Sequence, residues 1–115
     1  MKIRLSASGL ELTAELEKYT HAKIVRLSRK VPRGLRAQSL CDVHFVQTRR
    51  KGSKINTCVV AFTLDDTKLK AEETTLHMYA ALDIAIVHLE HQLTDYIANR
   101  KTPLKVRIKK RLRGE

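Results

Sequence analysis

Residues 2–7 alternate Lys2, Ile3, Arg4, Leu5, Ser6, Ala7, a pattern that predicts a short strand with one buried face. From Thr13, a suitable N-cap, the period changes. Leu16, Thr20, Ile24, Leu27 and Val31 recur at helical spacing, Tyr19 flanks the stripe, and Pro32 and Gly34 are expected to end the helix. Alternation returns over residues 38–48, with Cys41, Val43 and Phe45 on one face, and over 55–64, with Cys58, Val60, Phe62 and Leu64 on one face. Arg49 to Lys54 is predicted to be the turn between them. Pairing 48 with 55 sets 45 against 58, 43 against 60 and 41 against 62, so both apolar sets share a face. Asp65-Asp66 predicts a tight turn into a fourth strand near 67–73. A long helix over about 76–99 follows, capped by Thr74 or Thr75, with Met78, Leu82, Ala85, Leu89, Leu93 and Tyr96 inward and Pro103 near its end.

The order is therefore β-α-β-β-β-α, an α+β domain of four strands with two helices packed on one sheet face. The sequence divides into a domain at 1–99 and a basic tail at 100–115. The chain of 115 residues is 43% apolar, enough for one modest core. No apolar run reaches the roughly 18–20 residues that span a bilayer, and the start is not a signal-peptide block, so the expectation is a cytoplasmic protein with no membrane partner. In the proposed register Cys41 and Cys58 lie four residues apart, roughly 13 Å. That is too far for a disulfide, so both are expected to be buried thiols.

Charge changes the picture, because it is unevenly divided. Residues 23–54 carry ten cations against Asp42, residues 55–99 carry Lys68 and Lys70 against seven acids, and residues 100–115 carry eight cations against Glu115. Such zoning in a chain of net charge +11 points to a polyanion partner. Few aromatics and no Trp argue against a base-stacking reader of single strands. Lys23, Arg26, Lys30 and Arg33, with Arg29 beside them, form a cationic ridge on the first helix. Arg49, Arg50, Lys51 and Lys54 form a second basic cluster. Lys105, Arg107 and Lys109 alternate with apolar residues in the tail, which reads as an edge strand, an arm that orders on RNA, or a disordered tail.

The second helix carries no Lys or Arg between Met78 and Asn99. Its outer side holds Ile84 and Val87 with His88 and His91, either covered by the tail or a loop or forming a protein contact, including weak self-association. A His pair at this spacing lacks a third metal ligand. There is no glycine-rich nucleotide loop and no nucleophile–base set, so no cofactor, metal, small-molecule substrate or catalytic residue is expected.

His77-Met78-Tyr79-Ala80-Ala81-Leu82-Asp83 followed by Leu89-Glu90-His91-Gln92-Leu93 resembles the second helix of the bacterial ribosome hibernation promoting factor family, which includes the ribosome-associated inhibitor. Glu11-Leu12-Thr13, Ala22-Lys23 and Leu27 are similar to that family as well, and the resemblance covers residues 2–99. It implies a double-stranded-RNA-binding-like fold and a stress-response factor. Such a factor binds rRNA of the small ribosomal subunit and inhibits translation by occupying the mRNA and tRNA sites, without chemistry. Lys23, Arg26 and Arg29 match cationic positions of the family's first helix. On the second helix the family's basic positions are His88, His91 and Asp95 here, and the chain resembles a short form or a divergent member. Two alternatives stand beside this reading. One is a structured-RNA binder not confined to ribosomes; the other is a protein-interaction module using the second helix.

Overall fold

Strand β1 (Lys2–Ser8) leads into helix α1 (Ala14–Ser28), and a one-turn helix α2 (Arg33–Arg36) precedes β2 (Leu40–Arg50). Strands β3 (Ser53–Leu64) and β4 (Thr67–Thr75) and helix α3 (Met78–Lys101) complete the chain. This computed structural model describes residues 1–65 and 67–101. The sheet order is β1-β2-β3-β4, with β1 parallel to β2 and the remaining pairs antiparallel. The β-α-β-β-β-α order read from the sequence is thus the observed one, with α2 as an added turn.

The β2–β3 register is the expected one: Thr48 opposes Ile55, Phe45 opposes Cys58, Val43 opposes Val60 and Cys41 opposes Phe62. Alternation fixes this register because a one-residue slip would turn Phe45 and Phe62 out of the core. The core lies between this sheet face and the helices. It joins Ile24 and Leu27 of α1, Val43, Phe45, Val60 and Phe62 of the sheet, and Leu82, Leu89 and Leu93 of α3. Cys41 and Cys58 are free and buried, and burial pushes both thiols up to about 12, so neither is a nucleophile at neutral pH.

The opposite sheet face is polar along β1. Arg4 makes a bidentate pair with Asp42 (2.8 and 3.0 Å), and its guanidinium holds that carboxyl below the usual range. Beside it, His44 meets the hydroxyls of Ser6 (2.6 Å) and Ser8 (3.3 Å). At the β4 edge, Gln92 of α3 serves both backbone groups of Lys70. Its Nε2 donates to the carbonyl at 2.8 Å and its Oε1 accepts from the N–H at 3.3 Å. That rung is closed to a foreign strand.

Three local expectations are corrected. Helix α1 stops at Ser28, short of Val31. The residue before a proline is disfavoured in helical conformation, and Val31 precedes Pro32. The N–H groups of Lys30 and Val31 instead close four-residue turns onto the carbonyls of Leu27 and Ser28. Pro32 then opens α2, which contains Gly34, so the pair does not simply end the first helix. The basic turn is also tighter than expected. Arg49 pairs with Lys54 and Arg50 with Ser53, leaving a two-residue loop of Lys51 (φ 52°) and Gly52 (φ 82°). Finally, β4 runs to Thr75 and α3 begins at Met78. Thr75 Oγ1 accepts from the His77 N–H at 3.0 Å, while Thr74 pairs across the sheet with Thr57.

Candidate nucleic-acid interface

Helices α1 and α3 run parallel, and their facing sides are tied by charge. Thr13 starts α1 by accepting the Leu16 N–H at 3.2 Å, which aims Tyr19 and Lys23 at the first turns of α3. The Tyr19 hydroxyl donates to the Asp83 carboxylate at 2.7 and 2.8 Å, and Lys23 Nζ lies 3.3 Å from the same group. Lys23 also sits 5.3 Å from the Tyr19 ring centroid, and Tyr79 meets that ring edge-on at 4.8 Å. Asp83 raises the pKa of both Tyr19 and Lys23 through these hydrogen bonds. Further along, Lys30 Nζ is paired with Glu90.

Two of the five ridge cations are therefore paired with acids of the same chain. Sequence reasoning missed Asp83 and Glu90 as their partners. The signal was present in the spacing: Lys23 and Lys30 are seven residues apart, and so are Asp83 and Glu90. Two parallel helices bring such pairs together as two rungs.

Arg26, Arg29 and Arg33 are exposed and have no ion pair among the described residues. They do not share one helix. Arg26 lies in the last turn of α1, Arg29 is its C-cap and Arg33 opens α2. The chain's change of direction at Pro32 gathers them at one end of the helical layer, where α1 also presents its negative dipole end. Arg36, in the same turn, is drawn inward: its Nη2 donates to the Val31 carbonyl at 3.0 Å.

Arg49, Arg50, Lys51 and Lys54 are all exposed at the hairpin tip, again with no ion pair among the described residues. The structure does not bring them onto the α1 ridge. Lys105, Arg107 and Lys109, and the expected edge strand or arm around Leu104, Ile108 and Leu112, lie outside the described residues.

Outer positions of α3 hold Ile84 (37% exposed) and Val87 (48% exposed), with His88 and His91 exposed beside them. Among the described residues, no group of three or more His, Cys, Asp or Glu is placed to hold a metal. No helix among them is long and apolar enough to cross a membrane.

The chain is similar to solved structures that share this architecture. The N-terminal domain of Thermus thermophilus Protein Y superposes with a TM-score of 0.70 at 23% identity, covering 84% of this chain and 99% of that one. A ribosomal subunit interface protein from Coxiella burnetii superposes with a TM-score of 0.67 at 23% identity, covering 85% of this chain and 99% of that one. A search of the curated proteins finds no match. The model of one family, described as Sigma 54 modulation protein / S30EA ribosomal protein, matches residues 3–101, and to that family the chain belongs.

Proposed function

We propose that this protein is a ribosome-associated inhibitor of translation. It binds rRNA of the small subunit in the bacterial cytoplasm, occupies the mRNA and tRNA sites and holds idle ribosomes under stress. It performs no chemistry. The observation that carries the reading is the cluster of Arg26, Arg29 and Arg33, three exposed guanidiniums with no ion pair among the described residues, in a chain of this family. Guanidinium groups suit phosphate oxygens because their planar donors engage two at once. In this reading Lys23 and Lys30, tied to Asp83 and Glu90 between α1 and α3, contribute less than the three arginines.

Changing Arg26, Arg29 and Arg33 together to Glu tests this. The variant is expected to lose co-sedimentation with purified small subunits while keeping its thermal midpoint. Unchanged co-sedimentation would remove the cluster from the account. Competition by an unrelated duplex RNA as effective as that by small subunits would favour a structured-RNA binder not confined to ribosomes.

A second reading concerns α3. Ala80, Ile84, Val87 and His91 follow alternating four- and three-residue spacing on its outer side, the period of a helix-pairing seam. Self-association through this strip predicts a light-scattering mass that rises with concentration above the 13.2 kDa protomer and returns to it in Ile84→Asp. A wild-type mass that stays at the protomer value contradicts it.

A further inference from the structure

We infer that the tip of the β2–β3 hairpin is a second, separate grip on RNA phosphates, so that the protein bridges two RNA segments instead of lying along one. The inference rests on the ribosome reading above and names what the second basic cluster does within it.

The hairpin outruns its sheet. β1 leaves β2 at Ser8↔Val46, and β4 joins β3 only from Thr75↔Asn56. The two sides of the rungs Thr48–Ile55, Arg49–Lys54 and Arg50–Ser53 pair with each other and, among the described residues, with no third strand. At about 3.4 Å per residue, the ribbon projects roughly 10 Å past the last flanked rung before the turn is added. Its base is pinned. Gln47 Nε2 donates to Asn56 Oδ1 at 2.8 Å, and the buried Asn56 passes the chain on to the Leu76 carbonyl at 3.0 Å. Gly9 (φ 80°) lies so close that a Cβ there would sit 2.1 Å from the Gln47 carbonyl oxygen. The tip is therefore held out in a fixed direction.

Its composition works against the hairpin's own stability. Arg49 and Lys54 stand directly opposite each other on one face, a like-charge pair that disfavours the ladder. Lys51 takes a left-handed conformation that Asn or Gly would adopt with less strain. No acid relieves any of the four cations among the described residues. Local rules broken together at one exposed place mark a functional site. The fitting ligand is a polyanion with two walls. Arg49 and Lys54 point to the helix side of the ribbon, Arg50 to the other side, and Lys51 stands at the apex. A cleft between two lines of phosphates meets all four. A membrane surface would meet one side and would want an apolar anchor, which Lys51-Gly52-Ser53 does not supply.

The grip is distant from the arginine cluster. α1 starts beside the hairpin base and runs away from it, so Arg29 lies about 22 Å down the helix from Ala14. The tip extends the other way, giving a separation on the order of 35 Å. Glu11, Glu15 and Glu17, offset only by Lys18, stand before and in the first turns of α1, between the two clusters. One phosphate strand following the surface from one cluster to the other would be repelled there, whereas two RNA segments would not.

Hydroxyl-radical footprinting of rRNA in purified small subunits tests the inference. Wild type should protect two separated patches. The variant Arg49→Glu, Arg50→Glu, Lys54→Glu should lose one patch, keep the other and bind at least tenfold more weakly. The milder change of the same residues to Gln, with an unchanged thermal melt, guards against misfolding. Protection and affinity unchanged in both variants overturns the inference. So does loss of both patches together, or a variant that loses only cross-links to a ribosomal protein. If wild type leaves no footprint, the ribosome reading fails separately. Filter binding to an unrelated duplex RNA then decides the grip: a tenfold loss in the variant sustains it and no loss overturns it.

Discussion

Lys30 sits on a cationic surface, yet its nearest charged partner is Glu90 of its own chain. Lys23 is held in the same way by Asp83, while Arg26 and Arg29 between them remain outward. The lysines are paired within the chain, and in the proposed function the unpaired arginines meet the partner. Replacing Glu90 with Gln separates these roles. Both members of the pair are substantially exposed, so the stability change should stay within about 1 kcal/mol. The released Lys30 should tighten binding to small subunits at low salt. A large fall in thermal midpoint, or weaker binding, would contradict this assignment. The cations themselves were legible in the sequence, but their partners were not, because each ion pair spans 60 residues and local charge counting cannot see it.

At the scale of elements, the strongly periodic segments were legible and the aperiodic ones were not. Phe45, Val43, Cys58 and Val60 exclude every odd slip of register, since each would turn one set outward, and the short turn selects among the rest. The hairpin tip has no such pattern, and its loop closes on a lysine in a left-handed conformation that composition does not announce. The helical period runs on to Val31, which is buried, although the chain around it has already left the helix. Gly9 shows what the sequence alone concealed most fully. Its position against the Gln47 carbonyl allows no side chain, so Gly9→Ala should lower stability by about 1–3 kcal/mol, read as the thermal midpoint. An unchanged midpoint would mean that the loop does not press on the hairpin base.

At the scale of the whole molecule, the described residues present two outward basic regions, at the α2 end of the helical layer and at the hairpin tip, while Arg4, Lys23 and Lys30 are paired at the surface with acids of the same chain. Its fold was readable because hydrophobic period, element order and family likeness all point the same way. The proposed binding surface was readable only as composition, because which cations remain without an ion pair depends on how the helices pack. The central claim is that these free cations bind ribosomal RNA by displacing counterions. It is tested most directly by measuring the affinity of the chain for purified small subunits across a salt series. The account predicts a straight, steep fall of log affinity with log salt. The slope should become shallower by about 2–3 when Arg26, Arg29 and Arg33 are reversed, at roughly 0.7–0.9 per phosphate contact. An affinity indifferent to salt, or a slope that the three reversals leave unchanged, would contradict it.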